Sequence, residues 1–244
     1  MKIIGIIPAR LGSTRVQAKM LADISGKPVI RHTYEHAQKA KILDDVFVAT
    51  DSKEIADVVR KFGGKVVMTS ADNKNGTDRI AEAARDLVCD IVVNIQGDEA
   101  FIHPDIIELA VKILQDDPDA VMGTVARPIT NEEEYLERNA VKVVIDLSGR
   151  ALYFSRAPIP HSKTGKMSDA VKYYHHIGIY SFRRDFLLQY PGLKRSMLEE
   201  AESLEQLRVL ENGYKIKVGI TSKETIKIDT FDDINKAREK GGSI

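Results

Sequence analysis

The sequence lacks several features that mark specialised classes of protein. Cys89 is its only cysteine, so the chain has no internal disulfide, and this favours a reducing compartment. No stretch approaches the roughly 18 consecutive apolar residues of a membrane-spanning helix. The apolar run before Pro8 is too short for the core of a secretory signal. We therefore expect a cytoplasmic protein in which Cys89 is a small buried hydrophobic residue.

Charge of one sign is not in excess either. The 36 Lys and Arg residues equal the 36 Asp and Glu residues, and the formal net charge is zero. A nucleic-acid-binding protein would normally show a basic excess, so we expect small-molecule partners, with no nucleic acid and no membrane. A local basic pocket for a phosphate ligand remains compatible with this balance.

The first half of the chain alternates between short apolar runs and longer segments of helical periodicity. The runs cover residues 2–8, 46–50, 65–68, 91–95 and 120–126, and Pro28 and Pro104 suit the starts of helices at about 28–40 and 104–116. This alternation predicts an α/β fold, with a mostly parallel central sheet flanked by helices.

After about residue 140 the pattern changes. Residues 141–146 and 150–155 are typical of a β-hairpin, and a polar stretch, 161–170, follows. We then predict a strand at 177–182, a helix that ends near Asn212 and Gly213, and a strand pair at about 215–229. We interpret residues 1–244 as one domain with a nucleotide-type half to about 130 and an added antiparallel half over about 131–230.

Ligands of open α/β sheets bind beyond the carboxyl ends of the strands. The loop PARLGSTR (8–15), which follows the first strand, carries Arg10 and Arg15, and Lys19 comes soon after. It matches neither a Walker A loop nor a dinucleotide fingerprint. Free backbone amides and three cations suit a triphosphate, but the loop taken alone is equally compatible with a solvated turn.

Carboxylates follow another predicted strand. Asp98 and Glu99 come after the apolar run IVVNI and Gly97, where they suit Mg²⁺, although an exposed turn is the alternative. A second candidate ligand is Asp229, which could instead cap a helix that begins near Phe231.

Two further groups of residues suit ligand contacts. In NGTDR (75–79), Gly76 allows close backbone approach and Thr77 can cap a helix, whereas Arg79 suits a base or phosphate. The second half supplies a cation for a carboxylate and several donors and acceptors for hydroxyls, the inventory of a site for an acidic sugar. The residues of this second group are Arg156, His176, Tyr180, Glu205 and Gln206. A core histidine at 176 and an exposed helical charge at 205 are the simpler interpretations.

The order of motifs along the chain resembles one enzyme family. The motifs are PARLGSTR with Lys19, ATD (49–51), NGTDR, NIQGDE (94–99), NAVKVV (139–144), ALYFSRAPIP (151–160), HIGIY (176–180), LEQLRVLENG (204–213) and IDT (228–230). In this respect the chain is similar to the 3-deoxy-D-manno-octulosonate (Kdo) cytidylyltransferases, from about residue 3 to about residue 238. The resemblance implies a GT-A-like fold, a homodimer, and Mg²⁺-dependent formation of CMP-Kdo and pyrophosphate from CTP and Kdo for lipopolysaccharide synthesis.

The resemblance also implies roles for individual residues. The CTP-binding set is Ala9, Arg10, Ser13, Arg15, Lys19, Asn75, Gly76 and Arg79. The sugar-binding set is Gln96, Arg156, His176, Tyr180, Glu205 and Gln206, with Arg156 on the sugar carboxylate. Asp98 and Asp229 would bind the metal and, with Arg10 and Lys19, form the catalytic group.

The sequence departs from the family at two places. Val16, Gln17 and Ala18 stand where the family has Leu-Pro-Gly, and Ala100 replaces the proline after QGDE. Lys19 and the acidic residues are kept. Two alternatives therefore remain: an enzyme for another 2-keto sugar acid, such as 8-amino-Kdo or a nonulosonate, and a catalytically silent nucleotide-binding homologue.

Overall fold

The chain is described by a computed structural model over residues 1–12, 18–163, 166–168, 170–223, 225, 228 and 230–239. It forms two compact units, each built from separate chain segments. The first unit comprises Met1–Glu108, Arg183–Pro191 and Thr225–Ile244, and the second comprises Leu109–Phe182 and Gly192–Glu224.

The elements follow one another in a mixed α/β order. The strands are β1 (Ile3–Ala9), β2 (Asp23–Ile24), β3 (Lys27–Pro28), β4 (Asp45–Thr50), β5 (Lys65–Met68), β6 (Ile91–Asn94), β7 (Ala120–Pro128), β8 (Lys142–Ile145), β9 (Ala151–Ser155), β10 (Tyr174–Arg183) and β11 (Lys215–Ile220). The α-helices are α1 (Val29–Ala37), α2 (Lys53–Lys61), α3 (Gly76–Ala83), α4 (Pro104–Asp116), α5 (Glu132–Leu136), α6 (Arg184–Gln189), α7 (Met197–Glu202), α8 (Gln206–Glu211) and α9 (Phe231–Glu239). Short 3₁₀ helices cover Lys19–Leu21 and Tyr190–Gly192.

The first unit contains a parallel sheet in the order β6-β1-β4-β5. At its centre, Ile6 of β1 lies opposite Phe47 on one side and Asn94 on the other. Ile4 and Ile7 of β1 are both at most 1% exposed, as expected for a parallel strand that is covered on both faces. The predicted parallel sheet and its strand positions are confirmed.

Helix ends in the first unit are fixed by local capping. Ser52 caps α2, because its side chain accepts a hydrogen bond from Ile55 N at 3.2 Å. Asn75 caps α3 by accepting from Asp78 N at 2.7 Å. The prediction that Thr77 caps this helix is therefore wrong: Thr77 lies inside the first turn and is buried.

Ala100, one of the two departures from the family pattern, belongs to an apolar cluster of the first unit. It is fully buried and shares this cluster with Phe101, Ile24, Val29 and Ile228. A small apolar side chain is therefore compatible with this position.

The second unit contains a mixed sheet in which β7 pairs with both β11 and β10, while β8 pairs with β10 and β9. The β11–β7 pair is parallel and the others are antiparallel. The predicted hairpin is confirmed, since Val143 of β8 lies opposite Phe154 of β9. Strand β10 is longer than predicted and has an irregular register between Ile177 and Tyr180.

The helix predicted before Asn212 is in fact two short helices. Ser203 has φ 54° and ψ 49°, which ends α7, and α8 begins at Gln206 with Glu205 at its N-cap. A buried ion pair joins the two helices: Arg208 Nε donates to Glu199 Oε2 at 2.8 Å, and Nη2 donates to Oε1 at 2.5 Å. Glu205 and Gln206 are therefore at a helix start and not in mid-helix, as the continuous pattern had predicted.

Two expectations from composition concern single features. Within the described part of the chain, no helix has both the length and the apolar character needed to cross a membrane. Cys89 is 9% exposed, and burial raises the pKa of its thiol. The interpretation of Cys89 as a small buried hydrophobic residue agrees with this placement.

Candidate active site

Lys19 and Asp98 form the first contact of the candidate site. Lys19 opens the 3₁₀ helix that comes soon after β1, and Asp98 follows β6, the parallel neighbour of β1. Lys19 Nζ lies 2.8 Å from Asp98 Oδ2, and the two side chains are 10% and 18% exposed. Parallel pairing thus brings a predicted triphosphate ligand and a predicted metal ligand into direct contact.

Gly97 allows the loops after β1 and β6 to approach this closely. A β-carbon at this position would lie 2.8 Å from Met20 Sδ and 3.0 Å from Pro8 O. The hydroxyl of Thr33 on α1 donates to Gly97 O at 2.8 Å and holds the loop from the other side. A larger residue at 97 would therefore displace the backbone that carries Asp98.

Arg79 lies at a second point of the first unit, paired with Asp51. Its Nη2 is 3.2 Å from Asp51 Oδ2, and its Nη1 donates to Thr69 Oγ1 at 2.6 Å. With Arg10 and Asn73, this pair lines a cavity of about 540 Å³, which is within the usual size range for a small-molecule site. Arg79 is thus both a structural link between loops and a cavity residue.

Asn75, Gly76 and Gln96 lie near one another in the first unit. Asn75 uses its side-chain oxygen to cap α3. A β-carbon at Gly76 would lie 3.3 Å from Pro8 Cγ and 3.9 Å from Gln96 Oε1. Gln96 therefore lies beside Gly76. The family resemblance assigns Gln96 to the sugar and Gly76 to the nucleotide.

The other predicted metal ligand, Asp229, lies outside the described residues, as do Ser13 and Arg15. The residues on either side of Asp229, Ile228 and Thr230, each make contacts within the described part of the chain. Ile228 N donates to Asp98 O at 2.9 Å. Helix α9 has its own capping box, since Thr230 Oγ1 accepts from Asp233 N at 3.2 Å and Asp233 Oδ2 accepts from Thr230 N at 2.8 Å. The N-terminus of α9 is thus capped by Thr230.

No group of three or more His, Cys, Asp and Glu side chains among the described residues could hold a metal ion. Asp98 nevertheless suits a cation, because its carboxylate already faces the ammonium of Lys19. Glu99, the other half of the acidic pair, is only 4% exposed, so the two neighbouring carboxylates differ in their access to solvent.

In the second unit, three predicted sugar-binding residues contact one another. The rings of His176 and Tyr180 lie 5.4 Å apart, and Tyr180 Oη donates to Gln206 Oε1 at 3.2 Å. Nε2 of Gln206 is buried and has no hydrogen-bond partner in the described part of the chain. A buried amide donor without a partner is costly, and a ligand oxygen would remove that cost.

Burial fixes the protonation states of this cluster. It lowers the pKa of His176 to about 3, so the imidazole is neutral and shares a hydrogen bond of 2.9 Å with Thr124 Oγ1. Burial, assisted by the charge of Glu205, raises the pKa of Tyr180. Tyr180 therefore stays protonated and remains a donor.

Arg156 has a different set of contacts in the same unit. Its backbone N donates to Glu202 Oε2 at 2.9 Å, its Nε donates to Glu202 O at 2.9 Å, and its Nη1 donates to Arg138 O at 3.4 Å. Its guanidinium makes no ion pair with a carboxylate of the described residues. It lines a cavity of about 460 Å³ with Arg138, Tyr153 and Glu202, so two cations and one carboxylate lie around this space.

Three residues that hold predicted site residues in place were not themselves among the site residues predicted from the sequence. Asp51 neutralises Arg79, Thr124 bonds to His176, and Glu202 holds Arg156. Asp51 follows a predicted strand in the ATD motif, so its position was a usable signal. Thr124 and Glu202 are 52 and 46 residues from their partners, and no local pattern indicates such pairs.

Comparison with known proteins shows the family to which the chain belongs. The model of a family described as cytidylyltransferase matches residues 4–217. A 3-deoxy-manno-octulosonate cytidylyltransferase of Bacteroides thetaiotaomicron is 51% identical, covering 98% of this chain and 98% of that protein. A protein of the same name from Geotalea uraniireducens is 48% identical, covering 98% of this chain and 99% of the relative.

A solved structure of CMP:2-keto-3-deoxy-manno-octonic acid synthetase in complex with CTP is also similar. It superimposes with a TM-score of 0.93 at 40% identity, covering 99% of each chain. The fold and the strand-end residues thus define a nucleotidyltransferase of the cytidylyltransferase class. Within that class, the chain belongs to the 3-deoxy-manno-octulosonate cytidylyltransferase family.

Proposed function

We propose that this protein transfers CMP from CTP to the anomeric hydroxyl of Kdo and releases pyrophosphate. Full-length similarity to the family supports the proposal. The structural observation that carries it is the Lys19–Asp98 contact at the carboxyl ends of β1 and β6, where an α/β sheet binds its ligand.

The nucleotide is assigned to residues of the first unit. CTP brings about four negative charges, and hydrogen bonds from charged donors are the stronger kind for phosphate. Arg10 and Lys19, together with Arg15 and Ser13, would hold the triphosphate. Arg79 and the start of α3 would line the cytidine side, and Arg79 is already oriented by Asp51.

Mg²⁺ is assigned to Asp98 and Asp229. Mg²⁺ is usually bound through one or two carboxylates and substrate phosphates. The partly exposed carboxylate of Asp98 faces a cation in this structure, and Asp229 follows Ile228, whose backbone N bonds to Asp98 O. When bound, the metal would neutralise charge on the triphosphate and lower the pKa of the attacking hydroxyl.

The sugar is assigned mainly to residues of the second unit. Arg156 would bind its carboxylate, since the guanidinium has no carboxylate partner among the described residues. Gln206 would donate from Nε2 to a sugar oxygen, with Tyr180 holding the other end of the amide. His176 and Glu205 complete the sugar-binding set of the second unit.

The reaction is a substitution at the α-phosphorus of CTP. The anomeric oxygen of the sugar forms a bond to this phosphorus, the bond to the bridging oxygen of pyrophosphate breaks, and the hydroxyl proton passes to solvent. Positioning and charge neutralisation should dominate such a transfer. His176 is not assigned as a base, because burial keeps its pKa at about 3 and its ring bonds to Thr124.

The biological setting follows the family. We place the enzyme in the cytoplasm as a homodimer that supplies CMP-Kdo for lipopolysaccharide assembly. The lone, buried Cys89 is compatible with a reducing compartment.

The test is pyrophosphate release with CTP and Mg²⁺, comparing Kdo, 8-amino-Kdo and N-acetylneuraminate. We expect release with Kdo that stops on addition of EDTA. Release only with another sugar acid would reassign Arg156 and its neighbours to that substrate. Measurable CTP binding without release for any sugar would favour the catalytically silent homologue.

Two substitutions test the division of roles. Asp98→Asn should lower turnover by a factor on the order of a hundred or more, because it removes a metal carboxylate. Normal release by this variant would refute the metal assignment. Arg156→Ala should raise KM for the sugar while CTP binding persists, and loss of CTP binding instead would contradict its place in the sugar site.

A further inference from the structure

Lys142 is a buried cation for which the proposed reaction has no role. It opens β8, between its neighbours Ser155 on β9 and His175 on β10. Its side chain is 0% exposed, although lysine is almost never fully buried without a partner. The sequence signal is a lysine within the apolar run Val-Lys-Val-Val (141–144).

The ammonium group of Lys142 bonds to two backbone carbonyls. Nζ donates to Glu137 O at 2.7 Å and to Arg156 O at 2.9 Å. Burial lowers the pKa of Lys142, and the nearby charge of Glu137 opposes this shift. Two neutral carbonyls only partly offset the free-energy cost of burying a charge. An apolar side chain would fill this space without that cost.

The segment that Lys142 holds is the one that carries Arg156. The peptide N–H of Arg156 bonds to the Glu202 carboxylate, and its carbonyl bonds to Lys142. Its side chain is held in turn by two carbonyls, Glu202 O and Arg138 O. Lys142 also bonds to the carbonyl of Glu137, the residue before Arg138. One ammonium therefore restrains the backbone of Arg156 and the segment whose Arg138 carbonyl accepts from the Arg156 guanidinium.

We propose that Lys142 is a positioning residue of the sugar site, which holds the Arg156 backbone so that the guanidinium is preset for the carboxylate of the sugar acid. This inference rests on the proposed function only for the identity of the ligand. The restraint on Arg156 is a property of the chain itself. It can therefore be measured without substrate.

The test compares Lys142→Met with Lys217→Met in the full-length protein. Methionine keeps most of the length of the lysine side chain and removes the ammonium. Lys217 is the control, because its Nζ also donates to a backbone carbonyl of the second unit, Ser148 O in the β8–β9 turn, and its further ion pair with Asp117 at 3.8 Å does not involve Arg156. If Lys142→Met does not fold, Lys142→Gln, which keeps a neutral N–H donor group but removes the charge, takes its place.

The first readout is solvent exchange of the Arg156 Nε–H proton by NMR, assigned by its loss in Arg156→Lys. We expect faster exchange in the Lys142 variant and no change in Lys217→Met. The second readout is steady-state kinetics. Since misplacing a positioning group by about 1 Å can cost up to about a hundredfold, we expect KM for the sugar acid to rise about tenfold with little change in KM for CTP.

The outcomes separate this inference from the proposed function. In the Arg156→Ala background, the Lys142 substitution should cause no further rise in KM. Unchanged Nε–H exchange in a folded Lys142 variant would overturn the inference, as would an equal rise in KM for CTP and for the sugar. If the wild-type protein turns over none of the sugar acids, the proposed function fails, and the exchange measurement alone still decides the role of Lys142.

Discussion

His176 shows how burial of one residue couples folding to pH. An ordinary histidine has a pKa of 6.5, whereas burial lowers that of His176 to about 3. The unfolded chain therefore takes up a proton below about pH 6.5 that the folded chain does not accept. Stability from the neutral imidazole is fully present above the unfolded pKa and falls as the pH is lowered toward the folded pKa.

We predict that His176→Gln makes folding stability less sensitive to acid. For one such histidine, the free energy of unfolding falls by about 2 kcal/mol between about pH 7.5 and about pH 5. Glutamine does not titrate and can still bond to Thr124, so the variant should lack this part of the loss. The variant should be less stable overall, because it loses the contacts of the imidazole ring with Phe154 and Tyr180. Urea denaturation at both pH values measures the free energy of unfolding of each protein. An equal loss of this free energy between the two pH values in both proteins would show that His176 is solvated.

At the scale of elements, the short helix at Lys19–Leu21 begins with a backbone conformation that its sequence does not favour. Ala18, its N-cap, has φ 50° and ψ 34°. This left-handed region costs a residue with a β-carbon roughly 1–2 kcal/mol, and glycine avoids the cost. The family pattern has glycine at this position, so Ala18 places strain directly before Lys19.

We predict that Ala18→Gly stabilises the protein by about 0.5–1 kcal/mol, because relief of strain exceeds the added entropy of the unfolded chain. The matched control is Ala22→Gly at the other end of the same helix. Ala22 has φ −59° and ψ 133°, which is unstrained, so this change should destabilise the protein by about 0.5–1 kcal/mol. Chemical denaturation of both variants provides the test, and effects of the same sign would contradict the strain argument.

Elements with strong local signals were predictable from the sequence. Strand β5 was predicted at 65–68 and lies at Lys65–Met68, and helix α4 was predicted and found at 104–116. The break between α7 and α8 was not predictable, because residues 197–211 contain neither glycine nor proline. The break lies at the left-handed Ser203, and the buried Glu199–Arg208 pair joins the two helices across it. Such a tertiary contact has no local signature.

For the molecule as a whole, the sequence predicts candidate site residues more readily than the contacts between them. Strand order implied that the loops bearing Lys19 and Asp98 would converge, and within the first unit they do. The resemblance to a family supplied Arg156 and Gln206, but not Glu202 or Lys142, which hold Arg156 from distant points of the chain. Contacts of this kind depend on register and side-chain packing, and these emerge only when the strands are paired.

The distribution of exposed apolar side chains bears on the assembly of the whole molecule. In the second unit, Leu147, Leu152 and Met197 are 110%, 62% and 83% exposed. Leu152 lies on β9, which pairs only with β8 among the described strands. A strand edge without a partner invites further association, so the edge of β9 that carries the exposed Leu152 is the candidate association surface.

We predict that the protein is a homodimer that uses this part of the second unit. Sedimentation equilibrium should give 2 × 27.2 = 54.4 kDa for the wild-type protein. Leu152→Lys should shift the mass toward 27.2 kDa, because burying a lysine charge in an apolar interface is unfavourable. Val88→Lys is the control, since Val88 is 81% exposed but belongs to the first unit, and it should leave the dimer intact. A monomeric wild-type protein would refute the predicted homodimer, whereas a dimer that only Val88→Lys disrupts would place the association surface elsewhere.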